Sequence, residues 1–123
     1  LAVSLVSFGF KHGLPAALDL CFDVRFLVNP HFDARLRPLT GRNADVARFI
    51  EAGELTEPYY RQLAGFLAFC LPNYRRENRA YLTIGIGCTG GRHRSVYVAE
   101  RLARDLTAMG YPVRVSHRDE ALD

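Results

Sequence analysis

The chain opens on LAVSLVSFGF, where apolar and polar side chains alternate before the run turns wholly apolar. That pattern predicts a core strand over residues 1–9, ending at Gly9. Gly13 and Pro15 punctuate residues 11–19, which read as a loop. A second strand is expected over residues 20–29, where Asp23 and Arg25 alternate against Phe22, Val24 and Phe26. Residues 29–43 hold two prolines and a glycine and read as a long basic loop. Asn43 can cap a helix that stops at Gly53, and Thr56 can cap a second with Pro58 in its first turn. Leu63, Phe66, Leu67 and the run from Phe69 to Leu71 are the expected apolar face of that second helix, which ends near Pro72 or frays beyond it. A third strand covers residues 80–87. The last helix, residues 93–109, should bury Val96, Ala99, Leu102, Ala103, Leu106 and Met109 and stop at Gly110. Residues 111–118 read as a final strand.

Strands separated by helical stretches imply an α/β layered fold. The expectation is a single domain over residues 1–123, with a mixed, partly parallel sheet flanked by helices. A composition of 49% hydrophobic and 24% charged residues fits an ordinary globular protein. No apolar run reaches the ~18 residues of a membrane span. The apolar start is a poor signal peptide, and a chain that opens inside a strand without Met is expected to be part of a longer protein. Three widely spaced cysteines, Cys21, Cys70 and Cys88, match neither a disulfide framework nor a metal motif, and fit a reducing, cytoplasmic setting. Of the 16 basic residues only Lys11 is a lysine. Arginine's planar fork matches phosphate oxygens, so the net charge of +3 permits nucleic-acid binding without demanding it.

The segment GCTGGRHRS joins the third strand to the last helix. Ligands of open α/β sheets bind at the carboxyl ends of strands. Gly90 and Gly91 let backbone N–H groups face a concavity, and the helix dipole adds positive charge. Arg92 and Arg94 can fork onto oxygens, Thr89 and Ser95 can donate hydroxyl bonds, and His93 lies among them. This is a coherent anion site, and it is neither a Walker A loop nor a dinucleotide fingerprint. Cys88 and Arg94 also stand five residues apart with Ser95 following, the C-x5-R-[ST] spacing of cysteine-dependent phosphatases. Against that reading, Gly87 replaces the histidine that commonly precedes the cysteine, and Asp33 is the best available acid. Asp23 and Arg25 should share a strand face, and His31 follows a proline that restricts its backbone. Arg35, Arg37 and Arg42 surround PLTG, and Arg118 extends the basic surface near the C-terminus.

Taken together, VSFGFKHGLP, FDVRFLVNPHFD, LRPLTG, YLTIGIGCTGGRHRSVYVAERLA and HRD resemble the C-terminal domain of the RapZ family of RNase adapter proteins. The resemblance implies a fold like a phosphofructokinase subdomain and a binding and regulatory module without catalytic or metal residues. It implies binding of glucosamine-6-phosphate and of small regulatory RNA, presentation of that RNA to ribonuclease E, and a homodimer. It places the sugar phosphate among Cys88, Thr89, Gly90, Gly91, Arg92, His93, Arg94 and Ser95, with Asp23, Arg25, Asn29 and His31. Lys11 would belong to the same positive region, and RNA would meet Lys11, Arg35, Arg37, Arg42 and Arg118. The family's N-terminal Walker-type domain is absent from this chain, so ATP or GTP is expected only there and no cofactor here. One departure stands out: the end SHRDEALD is acidic where RNA-delivering members carry a basic tail. Fewer phosphate contacts should weaken RNA binding and lower its salt dependence.

Overall fold

A computed structural model describes residues 1–122 of the chain. Four strands, β1 (Ala2–Gly9), β2 (Leu20–Asp23), β3 (Tyr81–Cys88) and β4 (Val113–His117), form one sheet in the order β2-β3-β1-β4. The layered α/β fold expected from the sequence is present, and all three strand pairings are parallel. Helices α1 (Ala44–Glu51) and α2 (Thr56–Arg76) carry the chain from β2 to β3, and α3 (Arg94–Ala108) carries it from β3 to β4. Parallel neighbours need such crossovers. Two 3₁₀ turns, Phe10–His12 and Pro30–Phe32, sit in the loops after β1 and β2. Among the described residues no helix is long and apolar enough to cross a membrane.

One face of the sheet carries the main core. Leu82, Ile84 and Ile86 of β3 and Val3 and Leu5 of β1 join Leu63, Leu67 and Leu71 of α2 and Leu102 and Leu106 of α3 in a single buried cluster. The opposite face of β3 bears Gly85 and Gly87. A Cβ on Gly85 would meet the Leu18 side chain at 2.6 Å, and one on Gly87 would meet the rings of Phe10 and Phe8 at 2.5 and 2.7 Å. The loop after β1 therefore lies flat against this face, and the glycines make room for it. At the far edge His117 ties β4 to its neighbours: its Nε2 donates to Glu100 at 2.8 Å and its Nδ1 meets the Ser7 hydroxyl at 2.7 Å.

The structure departs from the sequence reading in four places. The second strand ends at Asp23 instead of running to residue 29. Its partner β3 ends at Cys88, and the Asp23 carboxylate accepts the Arg25 N–H at 2.9 Å, which turns the chain out of the sheet. Asp23 and Arg25 are thus a turn pair and not two residues of one strand face. Thr56 does not cap α2; it lies inside the helix and its hydroxyl donates to the Ile50 carbonyl at 2.5 Å. Pro72 does not stop α2, which continues to Arg76 because Leu71 is fully buried and Tyr74 packs on the core beyond it. Finally, Phe66, Phe69 and Met109 are 49%, 72% and 47% exposed. Tyr60, Leu63, Leu67 and Leu71 face inward instead, at the intervals of three and four that a helix requires. Asn43 caps α1 as expected, accepting the N–H groups of Asp45 and Val46.

This assignment of the α2 face separates two substitutions. Leu67→Ala should cost about 2–5 kcal/mol, as for a fully buried leucine. Phe69→Ala should stay within about 0.5 kcal/mol, as for an exposed site. Urea unfolding of both variants checks the pair; equal losses would contradict the burial pattern.

Candidate anion-binding site

β1 and β3 end level, with Gly9 opposite Cys88. Beyond them three backbone segments crowd together. A Cβ on Gly9 would lie 2.3 Å from the Gly90 carbonyl carbon, and one on Gly91 would lie 2.5 Å from the Gly9 nitrogen. Gly91 also has φ +83°, which side-chain-bearing residues rarely adopt. A Cβ on Gly41 would lie 2.2 Å from the His93 carbonyl oxygen. The Gly41 N–H donates to Arg92 O at 3.0 Å, and Lys11 N–H to Thr89 O at 3.2 Å. The loops after β1 and before α1 are thereby stitched to the glycine turn.

The turn opens into a cleft of about 470 Å³. Cys88, Thr89, Gly90, Arg92, His93 and Arg94 line it from β3 and the turn. Lys11, Asn29 and His31 face them, and Phe32 and Leu122 add apolar edges. The Lys11 ammonium has no carboxylate partner among the described residues. The N–H groups of the lining residues Thr89, Gly90 and Arg94 likewise find no acceptor among them, whereas Ser95 is fully buried and, like Gly91, is not part of the lining. Lys11 and the start of α3 at Arg94 are features that favour negative charge nearby.

Both turn arginines are already engaged. Arg94 is 5% exposed, and its guanidinium donates to the carbonyls of Arg25 and Leu27 and to the Thr89 hydroxyl. Burial lowers its pKa from the ordinary arginine value, against the opposing pull of Cys88 and Asp23. Arg92 donates to the carbonyls of Leu39 and Pro38, and its Nη1 reaches those of Glu120 and Leu122 at 3.4 Å. His93 donates through Nε2 to Arg37 O at 3.1 Å. Burial pushes its pKa below the usual histidine value, so the ring is neutral at pH 7. The buried Cys88 thiol sits 3.1 Å from the Ser95 hydroxyl, and its sulfur accepts the Gly91 N–H at 3.3 Å.

The remaining residues singled out in the sequence are spread around this centre. Asp23 and Arg25 do not line the cleft; they pair at 2.7 Å with both side chains half-exposed, and Arg25 lies 4.0 Å over the Phe10 ring. The Arg25 guanidinium holds the Asp23 carboxyl below its ordinary pKa. Asn29 caps the second 3₁₀ turn by accepting the His31 N–H at 3.1 Å. Arg37 donates to His31 O at 2.7 Å and shares a second depression with His31 and Arg92. Arg35 pairs with Asp33 in a separate depression. Arg42 pairs with Glu120, and Arg118 with Asp119. Sequence reading missed Gly9, Gly41, Phe32, Asp119, Glu120 and Leu122. A glycine ending a strand signals close backbone approach, so Gly9 alone carried a readable sign. Among the described residues no cluster of three or more His, Cys, Asp or Glu forms a metal site.

The buried neutral ring of His93 makes stability depend on pH. Its contribution is full above the unfolded histidine pKa of about 6.5 and is lost as pH falls toward the lower folded value. Melting temperature should therefore drop between about pH 7.5 and 5.5, and His93→Gln, which keeps a donor for Arg37 O, should flatten that slope. An identical slope in the variant would contradict the assignment.

The sequence profile of the RapZ C-terminal domain matches residues 1–121. A nucleotide-binding protein of Symbiobacterium thermophilum is 51% identical over 117 residues, which cover 95% of this chain and 39% of the relative. A nucleotide-binding protein of Gloeobacter violaceus is 49% identical over 123 residues, 100% of this chain and 41% of its own length. One from Rubrobacter xylanophilus is 52% identical, with 97% of this chain and 40% of its own length covered. The chain thus spans about two fifths of the relatives it matches. With the profile covering nearly every residue and three relatives near half identity, the chain belongs to the RapZ C-terminal domain family.

Proposed function

We propose that the domain is a binding and regulatory module of the RapZ adapter type, whose cleft holds the phosphate of a sugar phosphate such as glucosamine-6-phosphate. One observation carries this reading: Lys11, with no carboxylate partner among the described residues, and the turn residues Thr89 and Gly90, whose N–H groups find no acceptor among them, line one cleft of about 470 Å³. That volume lies within the range of small-molecule sites. Lys11 and the amides would take the phosphate oxygens, while Arg94 and Arg92 hold the surrounding loops in place and add charge from behind. Asn29 and His31 face the sugar hydroxyls. Asp23 is occupied by Arg25, so a ligand ammonium would have to exchange with that guanidinium to reach it.

In the same proposal small regulatory RNA meets Lys11, Arg37 and Arg42 on the rim, with Arg35 and Arg118 further out, and the protein acts in the cytoplasm as a homodimer that presents RNA to ribonuclease E. The relatives' name, nucleotide-binding protein, belongs to chains much longer than this domain. ATP or GTP is proposed for a segment outside it.

A second reading, a cysteine-dependent phosphatase, draws on one observation: Cys88, Ser95 and the Gly91 amide are assembled as that chemistry needs. Among the described residues, however, the cleft lining contains no Asp or Glu to protonate a leaving group, and Asp33 lies in another depression. Turnover of an aryl phosphate that Cys88→Ser abolishes would replace the binding reading with this one.

Lys11 separates ligand binding from folding, because it is exposed and holds no other element. Lys11→Ala should weaken glucosamine-6-phosphate about ten-fold or more, the loss of a charge-assisted bond, with an unchanged melting temperature. Arg94→Ala should lose both binding and stability. Unchanged calorimetric affinity in Lys11→Ala would move the phosphate elsewhere.

A further inference from the structure

Residues 118–122 leave β4 and cross the rim of the cleft. Asp119 anchors them. It is 2% exposed, and its carboxylate accepts the Gly9 N–H at 2.8 Å. The Arg118 guanidinium grips both of its oxygens at 2.8 and 3.0 Å. A Cβ on Gly91 would come within 2.9 Å of the Asp119 Cβ, so the anchor is seated directly on the glycine turn. Glu120, the next residue, reaches out to Arg42. Nε of Arg42 donates to one carboxylate oxygen at 3.1 Å and Nη2 donates to the other. Arg92 reaches the carbonyls of Glu120 and Leu122, and Leu122 forms part of the cleft wall.

We infer that residues 118–122 form an autoinhibitory strap, in which Glu120 occupies Arg42 as a stand-in for a phosphate of single-stranded RNA. The inference rests on the RNA-binding part of the function proposed above. A carboxylate held by Nε and Nη2 presents two oxygens in the plane of the guanidinium, as a phosphate does. The two acidic residues differ in strength of attachment. The Asp119 carboxylate is buried and held by three donors, so it stays in place. The Glu120 side chain is 18% exposed but its partner Arg42 is 56% exposed, so water reaches the pair from the arginine side and it is held more weakly than the buried Asp119 contact. A polyanion that brings several phosphates at once displaces Glu120 without unseating Asp119. Glu120, anchored through Asp119, therefore sets a threshold on RNA binding at a specific arginine, beyond its effect on net charge.

The test is fluorescence anisotropy of a uridine oligomer of about 20 nucleotides, long enough to span a single-strand groove, titrated with the protein over a range of salt. Glu120→Gln should tighten binding about two- to five-fold at low salt, the worth of one ion pair open to water on its arginine side. It should also steepen the log affinity against log salt slope by about 0.7, the signature of one added phosphate contact. Glu54→Gln removes the same charge at an exposed site between α1 and α2 and should do neither. In an Arg42→Gln background Glu120→Gln should have no further effect. Wild-type affinity in Glu120→Gln, an equal gain in Glu54→Gln, or a gain that survives in Arg42→Gln would overturn the strap and leave RNA binding standing. No binding of the oligomer by any variant would overturn both.

Discussion

The structure depends on the contact between the end of β1 and the turn after β3. Parallel pairing brings Gly9 level with Cys88, and the two backbones continue past the sheet with less than a side chain's width between them. Gly9 and Gly91 each lack a Cβ where one would overlap the other segment's main chain. This closeness brings Lys11 of the first loop and Thr89 and Gly90 of the turn to one cleft. It also gives Asp119 its seat, because the Gly9 N–H that would otherwise lie buried and unbonded is taken by that carboxylate. One backbone contact thus links the sheet, the anion site and the C-terminal strap.

Charge in the site is divided between groups that build it and groups left to act. A buried guanidinium without partners would be costly, and Arg94 avoids that cost by donating to two loop carbonyls and a hydroxyl. Arg92 does the same for the residues preceding α1 and for the chain end. His93 is neutral and bonded to Arg37 O. Among the described residues the cationic side chain of the cleft lining without a recorded partner is that of Lys11, the one lysine of the chain. A preorganised shell of this kind favours an anion by geometry, since few side chains have to be ordered when it binds.

Much of this was legible in the sequence because it is written in local patterns. Alternation and glycine punctuation located the strands, Asn43 marked the start of α1, and GCTGGRHRS marked the strand–helix junction at which the cleft opens. Lys11, Asn29 and His31 do converge on that turn. What failed to show depends on contacts between distant segments. The second strand could not extend past Asp23 because β3 had ended, and Phe66 and Phe69 are apolar residues at positions that geometry turns outward. The roles of Arg92 and Arg94 as loop clamps depend on carbonyls more than 50 residues away along the chain. Asp119 and Glu120 read only as acidic residues offsetting basic ones, whereas the structure buries the Asp119 side chain against Arg118 and leaves that of Glu120 18% exposed on Arg42.

The central claim is that the turn amides and Lys11 form one phosphate site. Titration of the isotope-labelled protein with glucosamine-6-phosphate, followed by amide proton–nitrogen NMR, tests it most directly. The account predicts saturable shifts of the Thr89, Gly90, Arg94 and Ser95 amides, reproduced in part by inorganic phosphate and lost in Lys11→Ala. Saturable shifts confined to the depression around Asp33 and Arg35, or none at the glycine turn, would contradict it.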